Sequence, residues 1–319
     1  MKKTLYVIFI LISIPYTVIN AQINLQDSTV QFVAYYSIGD KYEYSYENNA
    51  FSIVNNDTIL NQSSRCDLEI AVIDSTEHSY TMQCKYSNCR LNYYNDSITN
   101  KILNEMYNLL GDYEVIYETD EYGTFIKIKN WEEIRDKINP ICDSVVKKLY
   151  TEFPMINFGF TENALAEHLK QPFSSGEKLE TSCNEIKLLH SLLGSKMKIG
   201  NTYQADGETS NIWGGTPMKT TTLYTIENVD TENEITQVYS EMTTDASEIM
   251  KSFKESLSQK AINKQTQSEI ENIKIPDLSV STYTTFNIHS SGWTTYCFSV
   301  SDVKTTHTES FSTSEIIMK

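Results

Sequence analysis

Alternating apolar and polar residues predict a chain built mainly from antiparallel strands. Two runs alternate strongly, Thr124 to Lys129 and Trp293 to Val300, and a glycine, Gly123 or Gly292, stands before each. Short turns rich in Asp, Asn and Thr separate other alternating runs, as between the strands of hairpins. The pattern therefore favours sheets with one face buried and the other facing water.

A helical period interrupts this alternation after the first group of strands. A helix is predicted to start near Ser97 and to end at Gly111, because glycine commonly follows the last helical turn. Its apolar residues fall on one face, as expected for an amphipathic helix. That stripe consists of Ile98, Ile102, Met106, Leu109 and Leu110.

The middle of the chain is predicted to be a helical connector over residues 131–198. Its longest stripe is Trp131, Ile134, Ile138, Ile141, Val145, Leu149 and Phe153. Pro140 lacks a backbone donor, so we expect a kink or a restart there. Shorter helices are predicted over 161–170 and 175–193. For the latter, Ser174 and Glu177 form a capping box and Gly194 is the stop.

The inner face of the 175–193 helix is predicted from its own apolar spacing. It consists of Leu179, Cys183, Ile186, Leu189 and Leu193.

Short landmarks recur in the same order on both sides of the connector. Ile38 to Tyr42 resembles Ile199 to Tyr203, and Val72 to Glu77 resembles Asn228 to Asn233. A second amphipathic helix is predicted from Asp245, with the stripe Ile249, Phe253, Leu257 and Ala261. We therefore predict an internal duplication in an α+β fold: two curved sheets, each with one helix, over 22–130 and 199–319.

The first 21 residues have the three parts of a secretory signal peptide. Lys2 and Lys3 precede an apolar run from Leu5 to Ile14, and Ala21 is the small residue at the predicted cut. The run is shorter than the roughly 20 residues that a bilayer span needs. We expect a mature N-terminus at Gln22 and an exported protein, periplasmic or extracellular. An uncleaved membrane anchor is the alternative.

Charge narrows the classes of partner. The net charge is −16, and removal of Lys2 and Lys3 with the signal makes it −18. Such a chain repels nucleic acid and anionic membranes, so neither is expected as a partner. The 21 Tyr residues also favour strands.

Six cysteines in an exported chain allow up to three disulfides, and the sequence does not choose among the pairings. They are Cys66, Cys84, Cys89, Cys142, Cys183 and Cys297. Cys142 and Cys183 both lie on predicted connector helices and are the favoured pair. Cys84 and Cys89 could join across a tight turn.

No catalytic, cofactor-binding or metal-binding residue is assigned from the sequence, because no motif has the spacing that such chemistry requires. The five histidines are dispersed and form no His-Glu-x-x-His pair. Two Ser-x-x-Lys triplets, at 175–178 and 301–304, lack the Lys-Thr-Gly that accompanies them in penicillin-recognising enzymes. Glu132 with Glu133, and Asp120 with Glu121, are interpreted as solvated charges. The histidines are His78, His168, His190, His289 and His307.

Two short segments carry a resemblance to a known group. The signal end Asn20-Ala21-Gln22 and the run Gly123 to Ile134 resemble segments of uncharacterised secreted proteins of Bacteroidota. That resemblance implies export and no particular activity. At the level of fold alone, a sheet wrapped on helices is similar to periplasmic lipoprotein carriers and related half-barrels.

Together these observations favour non-catalytic binding or carriage of a hydrophobic or glycan ligand. A hydrolase is the first alternative, and it requires His, Ser and a carboxylate to converge in one cleft. A cell-envelope module that binds partners through a sheet edge is the second. The oligomeric state is left open.

Overall fold

The computed structural model describes residues 23–24, 26–55, 57–94, 97–152, 161–209, 217–246, 278–305 and 308–319. Residues 1–21, with the predicted signal peptide, lie outside these ranges. So does most of the helix predicted from Asp245, including its whole apolar stripe. Both features stay predictions.

Within the described ranges, eleven antiparallel strands form one large sheet in the order β7-β6-β5-β4-β3-β14-β13-β12-β11-β10-β9. The first group is β3 Lys41–Val54, β4 Asp57–Ser75, β5 Ser79–Tyr93, β6 Tyr113–Asp120 and β7 Phe125–Ile128. The second group is β9 Thr202–Thr209, β10 Met218–Asp230, β11 Ile235–Thr244, β12 Ser279–His289, β13 Thr294–Lys304 and β14 Glu309–Met318. The predicted α+β class with mainly antiparallel sheet is confirmed.

The strands of both halves share a single sheet, whereas the sequence led us to expect two. The reason is β14, which pairs with β3 from Glu309↔Ile53 to Met318↔Tyr44. A separate small sheet contains β1 Ile23–Asn24, β2 Thr29–Gln31 and β8 Lys196–Lys198. The internal duplication itself stays a prediction.

The connector helices pack on one face of the large sheet. They are α2 Trp131–Glu152, α3 Glu162–Lys170, α4 Gly176–Ser182 and α5 Asn184–His190, with a 3-10 turn at Gln171–Phe173. Strand β4 shows the pattern, since Leu68, Ile70 and Val72 are buried in the core while Glu69 faces outward and binds Lys41. Every second residue of this stretch therefore faces the core, as the pleat requires.

The structure differs from the predicted connector in three details. Of the kink or restart expected at Pro140, the restart is absent, because α2 continues through that residue. The helix expected over 175–193 is broken at Cys183, whose backbone leaves the helical region at φ −99° and ψ 54°. The cap of α4 is Ser175, whose hydroxyl accepts from the Lys178 amide, and not Ser174. The predicted inner face from Leu179 to Leu193 is buried nonetheless.

The stretch from Phe32 to Tyr36 crosses one end of the sheet and ties its two halves together. The Ala34 amide donates to the Tyr122 carbonyl at 2.8 Å, and the Tyr35 amide donates to the Ser291 carbonyl at 3.0 Å. A side chain at Gly292 would put its Cβ 2.6 Å from the Val33 carbonyl oxygen, and its φ is +90°. Glycine is needed there for both space and backbone angle.

The described cysteines form one disulfide, Cys66–Cys89, with Cα atoms 4.2 Å apart. The predicted pair Cys142–Cys183 is wrong, because both thiols are free and buried. Cys84 is also free, and no turn separates it from Cys89, since both lie on β5. The register shift between Arg65 and Asp67 places Cys66 beside Cys89, a bulge that spacing along the chain does not reveal.

No helix within the described ranges has both the length and the apolar content needed to cross a membrane.

Candidate functional site

An apolar pocket of about 300 Å³ lies where α1 Ser97–Leu110 meets α2, α3, the 3-10 turn and the start of β6. Its size is at the lower end of the range typical of small-molecule sites. Nearly all of its lining side chains are apolar or aromatic. They are Leu103, Met106, Tyr107, Leu110, Tyr113, Ile138, Ile141, His168, Leu169, Pro172 and Phe173.

Helix α1 forms one wall of this pocket without being fully packed itself. None of its residues is buried, whereas α2 beside it buries six. Polar contacts hold α1 in place: Lys148 pairs with Glu105 at 2.7 Å, and the Asn104 amide donates to the Leu91 carbonyl at 2.9 Å. Lys101 also pairs with Glu152. The apolar face of α1 is therefore left partly open to the pocket.

An aromatic pair and a buried acid lie behind the pocket. The Tyr113 ring stacks on Tyr86 with centroids 4.6 Å apart and planes 1° from parallel. The Tyr86 hydroxyl donates to the Glu185 carboxyl group at the start of α5. Burial raises the pKa of Glu185, and the hydrogen bond from Tyr86 opposes that rise only in part. This arrangement fixes the Tyr113 ring at the pocket wall.

A second cavity, which we call the acidic groove, adjoins the pocket and has a volume of about 660 Å³. Leu110 and Tyr113 line both cavities. The other lining residues are mainly charged or polar. They are Glu69, Lys85, Tyr86, Ser87, Asp112, Glu114, Asn130, Glu133, Ile134 and Lys137. The pocket and the groove thus form an apolar and a polar compartment side by side.

The four histidines within the described ranges do not gather at one place, and His307 lies outside those ranges. His190 is buried, and its Nε2 lies 2.9 Å from the Tyr117 hydroxyl while its Nδ1 lies 2.8 Å from the Gly123 carbonyl oxygen. Burial lowers the pKa of His190 to about 4, so the ring is neutral and supports the core. His168 contributes to the pocket wall, where no serine or carboxylate accompanies it in the described lining.

One cluster of described residues brings serine, histidine and carboxylate together. The Ser291 hydroxyl is 2.7 Å from His289 Nδ1, and Glu234 Oε2 is 3.8 Å from His289 Nε2. The Ser291 amide also donates to the same Nδ1 at 3.2 Å. The two Ser291 contacts lie within the turn between β12 and β13, and Glu234 approaches His289 from the turn between β10 and β11. None of these three residues lines either cavity. This arrangement stabilises a turn and does not provide the cleft that a hydrolase needs.

The remaining candidates from the sequence have structural roles. Ser175 caps α4, and the Ser301 hydroxyl meets Thr282 at 2.7 Å across two strands. Lys304 pairs with Asp302 and Glu309. Asp120 accepts hydrogen bonds from the amides of a turn. Within the described ranges, no group of three or more His, Cys, Asp or Glu side chains could hold a metal ion.

Sequence reasoning missed the pocket and the groove, although one signal was present. The predicted stripe of α1 omitted Leu103 and Tyr107, so it underestimated how much apolar surface this helix carries. A helix whose apolar face is wider than the contact with one neighbouring element packs against a second element or borders a cavity.

Comparisons with known proteins add little to this geometry. No protein-family model and no curated protein matches the chain. A solved structure described as "lipid-protein interactions in lipovitellin" is similar over 89% of this chain, at 12% sequence identity and a TM-score of 0.39. This chain spans 25% of the length of that one. A TM-score this low carries no argument, so the site is interpreted from its own residues.

Proposed function

We propose that this protein binds a small hydrophobic molecule in the apolar pocket and carries it without chemical change. The observation that supports the proposal most directly is the pocket itself, an accessible cavity lined almost entirely by apolar and aromatic side chains beside a helix with no buried residue. Sites of this kind gain affinity from apolar area removed from water. The earlier alternative of a glycan ligand is less well supported, because the pocket wall offers few polar groups.

Export is part of the same proposal. A carrier outside the cytoplasm would move a poorly soluble molecule through water, and the predicted signal peptide would bring the chain to that place. The Cys66–Cys89 disulfide is compatible with an oxidising compartment.

A fluorescent neutral probe, N-phenyl-1-naphthylamine, tests the binding function. The probe should bind the wild-type protein saturably with increased emission. Met106→Trp should weaken binding roughly tenfold or more, because the larger ring occupies the cavity.

Leu109→Trp is the matched control, since Leu109 lies on the same helix, is 50% exposed and does not line the pocket. It should bind the probe like the wild type. Thermal unfolding of both variants checks that the fold is retained. Equal binding by wild type and folded Met106→Trp would contradict the proposal.

A further inference from the structure

The acidic groove and the apolar pocket are neighbouring cavities, because Leu110 and Tyr113 belong to both linings. A wholly apolar ligand would leave the groove to water. An amphiphile could place its chain in the pocket and its polar head among the charged residues of the groove.

The charges of the groove are not balanced. Glu69 pairs with Lys41 at 2.8 Å and with Lys85 at 3.5 Å, so these three groups together carry one positive charge. Glu114 accepts a hydrogen bond from the neutral Gln83 amide at 2.7 Å. Within the described part of the chain, Glu114, Asp112 and Glu133 form no ion pair.

Lys137, the other basic residue of the groove besides Lys85, does not balance the negative charge of these three carboxylates. Lys137 donates to the main-chain carbonyl of Asp112 at 3.3 Å, and the lining as a whole has four carboxylates and two lysines, a net charge of −2. The whole chain has a net charge of −16, so the surrounding field has the same sign. Both the carboxylates of the groove and the net negative charge of the chain would stabilise a cation in the groove, and both would destabilise an anion there.

Aromatic rings in the groove favour the same kind of head group. Tyr86 and Tyr113 both line it, and Tyr113 is the partly exposed member of their stacked pair, whereas Tyr86 is buried. An alkylated ammonium is attracted by the face of a tyrosine ring as well as by nearby negative charge.

We propose that the ligand is an amphiphile with a positively charged head group, held with its head in the acidic groove and its chain in the apolar pocket. This inference rests on the proposed binding function and adds the charge of the ligand. It distinguishes the protein from a carrier of fatty acids, whose carboxylate the groove would repel.

Three amphiphiles with the same dodecyl chain test the inference by competition with N-phenyl-1-naphthylamine, each below its micelle concentration. They are dodecyltrimethylammonium, dodecyl maltoside and dodecanoate. The ammonium compound should displace the probe at the lowest concentration. Dodecanoate should require a concentration higher by roughly tenfold or more, and the concentration for the maltoside should lie between the two. Added salt should bring the displacing concentrations of the three amphiphiles closer together, because salt screens exposed charges.

A double variant that removes two carboxylates from the groove tests whether they cause the preference for a positively charged head group. Asp112→Asn with Glu133→Gln should weaken displacement by the ammonium compound several-fold and leave the affinity for the neutral probe unchanged. Glu121→Gln, an exposed change outside both cavities, should alter neither.

The outcomes separate the two proposals. Tighter binding of dodecanoate than of the ammonium compound, or displacement by the ammonium compound that is as strong in the double variant as in the wild type, would overturn the charge inference and leave the pocket in place. Failure of the neutral probe and of all three amphiphiles to bind would overturn the binding function itself.

Discussion

Two ionisable side chains of the short helix α5, Glu185 and His190, are buried in the core of the protein. Both are almost completely buried, and each has a tyrosine hydroxyl as a partner, Tyr86 for Glu185 and Tyr117 for His190. Burial disfavours the charged form of each, so the pKa of Glu185 is raised and that of His190 is lowered. Each of these two buried groups is therefore less readily charged than in water.

The buried His190 should make the protein less stable in acid. Its pKa is about 4 in the folded protein against an ordinary 6.5, so the unfolded chain binds the proton first as pH falls. Stability from this group is complete above pH 6.5 and decreases toward pH 4. The free energy of unfolding should fall by about 2 kcal/mol between roughly pH 6.5 and 5.

Urea unfolding at several pH values measures the slope of the free energy of unfolding against pH. His190→Gln should be less stable at neutral pH but lose most of the slope, because glutamine does not titrate. The exposed change His78→Gln should keep it. A His190→Gln protein with the full wild-type slope would show that other groups cause the acid sensitivity.

Helix α1 is expected to open more readily than the other elements around the pocket. It has no buried residue, whereas α2 buries Ile134, Ile138 and four others. Local opening costs little where few apolar contacts are broken. Amide hydrogen exchange should therefore be faster in α1 than in the middle of α2, and bound N-phenyl-1-naphthylamine should slow it in α1. Strand β4 serves as the internal control, because the pocket does not include it.

The disulfide between β4 and β5 should be detectable and stabilising. Thiol labelling of the unfolded, unreduced protein should count four free cysteines, and only Cys66 and Cys89 should be linked. The bond closes a loop with a sequence separation of 23, so replacing both residues by serine should cost about 3 kcal/mol. Labelling of two or six cysteines would contradict this pairing.

At the scale of elements, local patterns predicted most of what the structure contains. The stripe of α2 and the helix from Ser97 to Leu110 follow from spacing within a few turns, so the sequence reveals them. The disulfide and the pocket depend on a bulge and on the meeting of α1, α2 and α3, which are separated along the chain. Periodicity indicates which face is apolar, but not which elements it faces.

The whole molecule is expected to reach its place of action without residues 1–21. Intact mass of the protein recovered from an exporting host should correspond to a chain that begins at Gln22, and replacing Lys2 and Lys3 by glutamate should reduce export. Recovery of a membrane-bound product that retains Met1 would support the uncleaved anchor instead.

The pairing of β14 with β3 has a consequence for how the chain is made. β14 follows the other ten strands of the large sheet along the sequence, yet it occupies a central position between β3 and β13. Until residues 309–318 pair with it, β3 therefore has an unpaired hydrogen-bonding edge. A chain truncated before residue 309 would leave that edge open to pairing with other chains.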